Sequence, residues 1–209
     1  MTSSPSTTKR FRSEILRKPV SFLIASAWLA SAFILIPKGF GESWHVVMKL
    51  SGFLFLFLAA LGRIWSYGFI GGRKNTELCQ NGPFSLCRNP LYFFSFLGVC
   101  GVGLALQSFM LFTVGVIVFL TYYHFVIRAE ERRLHELFGE PYATYCREVP
   151  RFWPRLQKVI MPDSVTLPSK LFTRNLTEVF WFLAVIVIIE LIEMGKLDQW
   201  WPTISTGIW

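Results

Sequence analysis

Two short polar motifs in this chain carry residue types that could do chemistry. Cys87-Arg88-Asn89-Pro90-Leu91-Tyr92 offers a permanent cation with a planar fork, an amide that both donates and accepts, and an amphipathic ring one turn into a helix. Arg128-Ala129-Glu130-Glu131-Arg132-Arg133 offers two adjacent carboxylates among arginines. The Arg88 fork suits a carboxylate or a phosphate. Consecutive helical residues point roughly 100° apart, so Glu130 and Glu131 face different directions. One can reach a ligand while the other pairs with Arg128 or Arg132. Carboxylates placed this way accept ribose hydroxyls or an ammonium group, so a nucleoside or amino-acid ligand is chemically sensible. Taken singly, the acidic pair reads as ordinary salt-bridged flanking of a helix end. Convergence of the two motifs is what would make a site.

The stretch between them must supply that convergence. From Asn89 to Ile127 run 39 residues without one Asp, Glu, Lys or Arg. At about 1.5 Å of rise per residue this is nearly twice one bilayer crossing. The sequence therefore predicts a membrane hairpin with Gln107-Ser108 as its polar tip, returning both motifs to one membrane face.

Composition agrees that the bilayer is the solvent: 53% of residues are hydrophobic and only 16% charged, too few for a water-facing surface of ordinary polarity. The expected fold is an all-α polytopic membrane bundle of about five spans, at 19–36, 45–62, 90–106, 109–127 and 178–194, with a cytoplasmic amphipathic cap. Three regions follow: 1–66, a basic N-terminal segment and two spans; 67–158, a loop, the hairpin and the cap; 159–209, a last span and tail. The net charge of +8 could suggest nucleic acid, but 18 of the 21 Lys and Arg residues fall on the motif-bearing side of these spans. That asymmetry orients the N-terminus and motifs to the cytoplasm and the C-terminus to the opposite side, with the basic excess facing lipid headgroups; no nucleic acid is expected. Oligomeric state is left open.

Smaller features complete the outline. The first apolar run follows a basic segment but ends in no small-x-small cleavage site, which reads as a retained anchor. Four cysteines, Cys79, Cys87, Cys100 and Cys146, show no C-x-x-C spacing, favouring neither zinc nor disulfide. Lys49, Glu190 and Glu193 lie near the outer ends of their spans, where snorkelling is expected. Gly98, Gly101 and Gly103 suggest close helix approach, with Gly98 also placed where a ligand could lie. A short amphipathic helix is expected at 131–138, stopped by Gly139, and Asn175 or Thr177 can cap the last helix.

Gly82-Pro-Phe-Ser-Leu-Cys-Arg-Asn-Pro-Leu-Tyr92, the hairpin, Arg128-Ala-Glu-Glu131 and Leu137-Phe-Gly139-x-x-Tyr142-x-x-Tyr145-x-x-x-Val149-Pro150-Arg151 together resemble the isoprenylcysteine carboxyl methyltransferase and phospholipid methyltransferase superfamily. The likeness covers about residues 68–155. It implies an all-helical membrane enzyme holding S-adenosyl-L-methionine at the cytosolic mouth and taking a lipophilic or lipidated substrate from the bilayer. Carried over, Arg88, Asn89, Tyr92, Gly98, Glu130, Glu131, Tyr142 and Tyr145 would bind the cofactor, and Arg128 or Arg151 would orient an anionic acceptor. Asn89 stands where the family has histidine, and Phe94 where it has a glycine, adding bulk near the groove. The favoured reaction is O-methylation of a carboxylate, as on isoprenylcysteine.

Two other readings compete. The outline also resembles the C-terminal part of NADPH-dependent sterol reductases, and a membrane scaffold with a decayed cofactor site is the non-enzyme alternative.

Overall fold

A computed structural model describes residues 23, 26–28, 30–36, 43–72, 76–155, 159–163 and 169–205. Helix α1 (Ser43–Ile70) leads into a loop with a short 3-10 turn at Gly82–Ser85, followed by α2 (Pro90–Ala105), α3 (Phe109–Phe138), α4 (Glu140–Glu148) and α5 (Ser169–Leu197). Extended pairing is limited, among the described residues, to β1 (Leu35–Ile36) running parallel to β2 (Ile204–Ser205). The all-α expectation holds. Helices α1 and α3 are long and apolar enough to cross a membrane, whereas α2 is a shorter apolar helix of 16 residues. Of the expected span at 19–36, the described residues 23, 26–28 and 30–34 are helical, and Leu35–Ile36 form β1.

The hairpin forms where the charge-free stretch demanded it. Pro90 occupies the first turn of α2, where its missing N–H breaks no helical bond. The chain reverses through Leu106, Gln107 and Ser108. Gln107 takes φ 58°, and the Ser108 hydroxyl caps α3 by accepting from Leu111 N at 3.3 Å. Gly139 (φ 58°) closes α3, and Pro141 in the first turn of α4 redirects the chain.

Three boundaries differ from expectation. α1 runs on to Ile70 instead of ending at residue 62, because no proline follows Arg63 to stop it. The amphipathic stretch 131–138 is the end of α3, since nothing between Ile127 and Glu131 interrupts the helix. α5 begins at Ser169, so Asn175 and Thr177 lie inside it and not at its start.

α1 and α2 meet backbone to backbone. A Cβ on Gly52 would stand 2.6 Å from Gly101 O and overlap Ala105 N, and one on Gly101 would stand 2.8 Å from Gly52 O. Small residues thus permit the close approach that membrane helices use in place of hydrophobic collapse. α5 adds Ile189 and Ile192 to a core with Leu56, Ala105, Leu106 and Leu111. At the hairpin-tip end, Lys49, Glu190 and Glu193 do not snorkel apart. Lys49 Nζ lies 2.8 Å from Glu190 Oε1 and 2.9 Å from Glu193 Oε2, and Gln107 Nε2 donates to Glu193 Oε2 at 3.1 Å. Opposite charges on packed helices neutralise each other at less cost than reaching separately for water. Lys49→Met is expected to destabilise the bundle by about 2 kcal/mol, less than a fully buried orphan charge because Glu190 is partly exposed. Adding Glu190→Gln and Glu193→Gln should recover much of the loss, as read by thermal unfolding in detergent.

Candidate active site

The first motif is held by the segment that follows α4. Arg88 N donates to Pro150 O at 2.8 Å, Arg155 N to Leu86 O at 3.0 Å and Gly82 N to Ile160 O at 2.7 Å. Buried Asn89 adds a side-chain tie, its Nδ2 donating to Arg151 O at 2.9 Å and to Glu131 Oε1 at 3.3 Å. Tyr145, also buried, donates its hydroxyl to Phe84 O at 2.6 Å. The motif loop, the end of α3 and α4 thus form one framework, and the paired motifs meet as the hairpin required.

Glu131 sits at its centre. Its Oε2 lies 2.9 Å from Arg151 Nε and its Oε1 lies 3.5 Å from Arg88 Nη2. The ion-pair partners are therefore Arg88 and Arg151, not the sequence neighbours Arg128 and Arg132. Those neighbours share the helix surface with Glu131, but the returning segment brings Arg151 over it. Its carboxylate so occupied, Glu131 holds the two arginines in place.

Two recesses flank this pair. A cavity of about 360 Å³ lies between α1, α2 and α3, within the roughly 300–1,000 Å³ usual for small-ligand sites. Arg88, Asn89, Tyr92, Glu130 and Tyr145 all line it. The Tyr92 ring packs at 5.4 Å from Tyr123, which stacks on Phe119 at 4.1 Å, giving the cavity an aromatic wall. A wider cleft of about 970 Å³ opens on the other side and takes in Arg88, Arg128, Glu131, Tyr142 and Arg151. Arg88 borders both. The acidic pair divides between them, Glu130 to the cavity and Glu131 to the cleft, as their helical spacing implied.

Two expected contributors stand elsewhere. A Cβ on Gly98 would meet Phe182 at 3.4 Å and Ala59 at 3.6 Å, so this glycine serves packing of α2 on α1 and α5. Phe94 does not crowd the groove: its ring fills the space over Gly62, where any Cβ would overlap it. Its bulk is matched by a glycine on α1.

The cavity also contains residues that the motifs do not announce. Arg63 Nη1 donates to Ser95 Oγ at 2.5 Å and Nη2 to Tyr67 Oη at 3.2 Å. Arg63, Tyr67, Ser95 and Tyr123 all face the same recess. A cation inside an apolar helix was the available signal for Arg63, since intramembrane charge usually has a task.

Burial sets the protonation of the groups around the motifs. It raises the pKa of Tyr142, with the Glu131 charge adding to the effect, and it raises that of Tyr145. Both remain neutral phenols, donors and not bases. Burial pushes the Cys87 thiol up to about 12, leaving no thiolate to attack anything. N-ethylmaleimide at pH 8 is therefore expected to modify partly exposed Cys79 and Cys146 in the folded protein and to spare Cys87, as peptide mass spectrometry would show. Among the described residues, no three His, Cys, Asp or Glu side chains group as a metal site would need.

Comparison with known proteins places the motifs within a family. Residues 50–141 match the family model described as phospholipid methyltransferase, a span that takes in the first motif, the hairpin and the acidic pair. The chain is 36% identical over 163 residues to the nickel-cobalt-cadmium resistance protein NccN of Alcaligenes xylosoxydans xylosoxydans, covering 78% of this chain and 76% of that one. It is 37% identical over 168 residues to the cobalt-zinc-cadmium resistance protein CzcN of Cupriavidus metallidurans, covering 78% and 77%. No solved structure matches it.

Proposed function

This chain belongs to the phospholipid methyltransferase family, within the isoprenylcysteine carboxyl methyltransferase-like superfamily, and from that premise we propose that it transfers a methyl group from S-adenosyl-L-methionine to a lipophilic acceptor at a membrane surface. The observation that carries the reading is the cavity between α1, α2 and α3, where a carboxylate (Glu130), a permanent cation (Arg88), an amide (Asn89) and an aromatic wall (Tyr92 and Tyr123) face one space. This donor set fits the cofactor. Glu130 suits its ribose hydroxyls or ammonium, Arg88 its carboxylate, and the tyrosines its flat or cationic parts. Asn89 has spent its N–H groups on Arg151 and Glu131, so it contributes chiefly by fixing the motif.

S-adenosyl-L-methionine, when bound, supplies an electrophilic methyl on a cationic sulfur. The residues need then only align an acceptor and keep water out, because charge is lost as the methyl moves. Arg128 or Arg151 would orient an anionic acceptor, with carboxylate O-methylation favoured. No ionised tyrosine or thiolate is required. The five-span arrangement, with the N-terminus and both recesses on the cytosolic side and the C-terminus opposite, is part of the proposal.

The names of the relatives add a setting, resistance to nickel, cobalt, zinc or cadmium. In the cleft four arginines stand against one carboxylate, which disfavours divalent cations there and favours a modified lipid over capture of the ions themselves. Titration of the purified chain in nanodiscs with S-adenosyl-L-methionine should show saturable binding; no saturation would end the proposal. Incubating membranes that carry the chain with methyl-labelled S-adenosyl-L-methionine should then reveal the acceptor by mass spectrometry.

A further inference from the structure

Residues 150–155 tie down the first motif and leave one large ring uncovered as they do so. Pro150 O accepts from Arg88 N at 2.8 Å, Arg151 O accepts from Asn89 Nδ2 at 2.9 Å, and Arg155 N donates to Leu86 O at 3.0 Å. Between these ties the Phe152 ring packs 5.8 Å from Phe96, against the cluster that Phe96 forms with Cys100 and Phe119. Trp153 follows on the outside, edge-on to Phe96 at 5.6 Å and to Phe93 at 6.2 Å. Despite both contacts it stays 60% exposed.

Its depth indicates what covers the exposed part. α2 leaves the charged motif at Pro90, and Phe96 lies six residues on, about 9 Å along the helix axis. A ring beside Phe96 is therefore past the charged rim and level with the apolar part of the hairpin. An exposed indole at that level faces lipid. The layer just inside the headgroups is where tryptophan is enriched, because its apolar body and its N–H are both satisfied there. Arg151 turns inward to Glu131, whereas Arg155 is exposed and can reach lipid phosphates. One ring beside one cation is far too small a patch for a protein interface, which takes roughly 800 Å² on each partner.

We infer that residues 150–155 are a membrane-interface strap: Trp153 lodges at the boundary of headgroups and acyl chains, and Pro150 and Arg151 pass that hold to Arg88 and Asn89. The bilayer then completes the frame of the site, since the carbonyls that fix the motif belong to the segment the lipid holds. This rests on the hairpin lying in a bilayer and not on methyl transfer.

The test uses the full chain in phosphatidylcholine nanodiscs whose acyl chains are brominated either near the glycerol or near the methyl end. The fluorescence difference between wild type and Trp153→Phe isolates this indole among the eight. It should be quenched at least twofold more by the shallow bromines than by the deep ones. Amide exchange then reads the coupling. Trp153→Ser should speed exchange of residues 84–89 by about tenfold with α3 unchanged, while Trp153→Tyr, which keeps an amphipathic ring, should stay within about twofold of wild type. No quenching by either lipid, or quenching by aqueous acrylamide in its place, would overturn the lipid contact. Unchanged exchange at 84–89 in Trp153→Ser would overturn the coupling. Faster exchange spread through α2 and α3 would do the same, by marking Trp153 as a packing residue alone. S-adenosyl-L-methionine titrated in parallel reads the methyltransferase proposal separately, and a failure there leaves the strap standing.

Discussion

Glu131→Ala should reduce S-adenosyl-L-methionine-dependent methyl transfer by about 100-fold, equivalent to roughly 3 kcal/mol. The carboxylate holds Arg151 at 2.9 Å and Arg88 at 3.5 Å, and also accepts from Asn89. Its removal leaves two poorly exposed guanidinium groups facing each other without a counter-charge and releases the motif loop from α3. Glu131→Gln keeps the shape and loses the charge, so it should fall between wild type and alanine. Glu130→Ala should act differently. It lines the cavity, so its loss should show in cofactor affinity with thermal stability largely kept. Equal effects of the two alanine variants on cofactor affinity and stability would contradict this division of labour.

Gly52→Val should be the most destabilising single change in the apolar part of the molecule, at about 3 kcal/mol and a fall in Tm of roughly 6–12 °C. What a side chain at residue 52 would meet is backbone, Gly101 O and Ala105 N, which cannot rotate away. The helices would have to separate, and the core of Leu56, Ala105 and Ile189 would open with them. Gly68→Val on the same helix supplies the control, because nothing lies within 4 Å of a Cβ there. Similar melting temperatures for the two variants, measured in one detergent, would show that the α1–α2 contact is looser than described.

The hairpin was legible because its cause is local: an uncharged run too long for one crossing, a proline at its start and a polar dipeptide at its middle. The meeting of Asn89 with Glu131 followed from that geometry. Partner choice was not legible. Glu131 could have paired along its own helix, and only the return of the chain after α4 brings Arg151 onto it. Arg63 illustrates a second limit, since a cation at the edge of an apolar run looks the same whether it ends the span or faces inward. The difference lies in Ser95, a partner 32 residues away that no spacing rule singles out. Glycine is ambiguous in the same manner. Gly98 signals close approach, and a phenylalanine of α5 together with Ala59 of α1 is what approaches in the structure.

The contact between Lys49 and the two glutamates bears on how the chain is made. Its partners are synthesised 141 and 144 residues later, beyond the family-matching region, which ends at residue 141. Throughout that interval the nascent chain carries an amine whose counter-ions do not yet exist. Until α5 arrives, an unpaired amine favours keeping that end of α1 near water, and α5 then supplies the acids that let it pack.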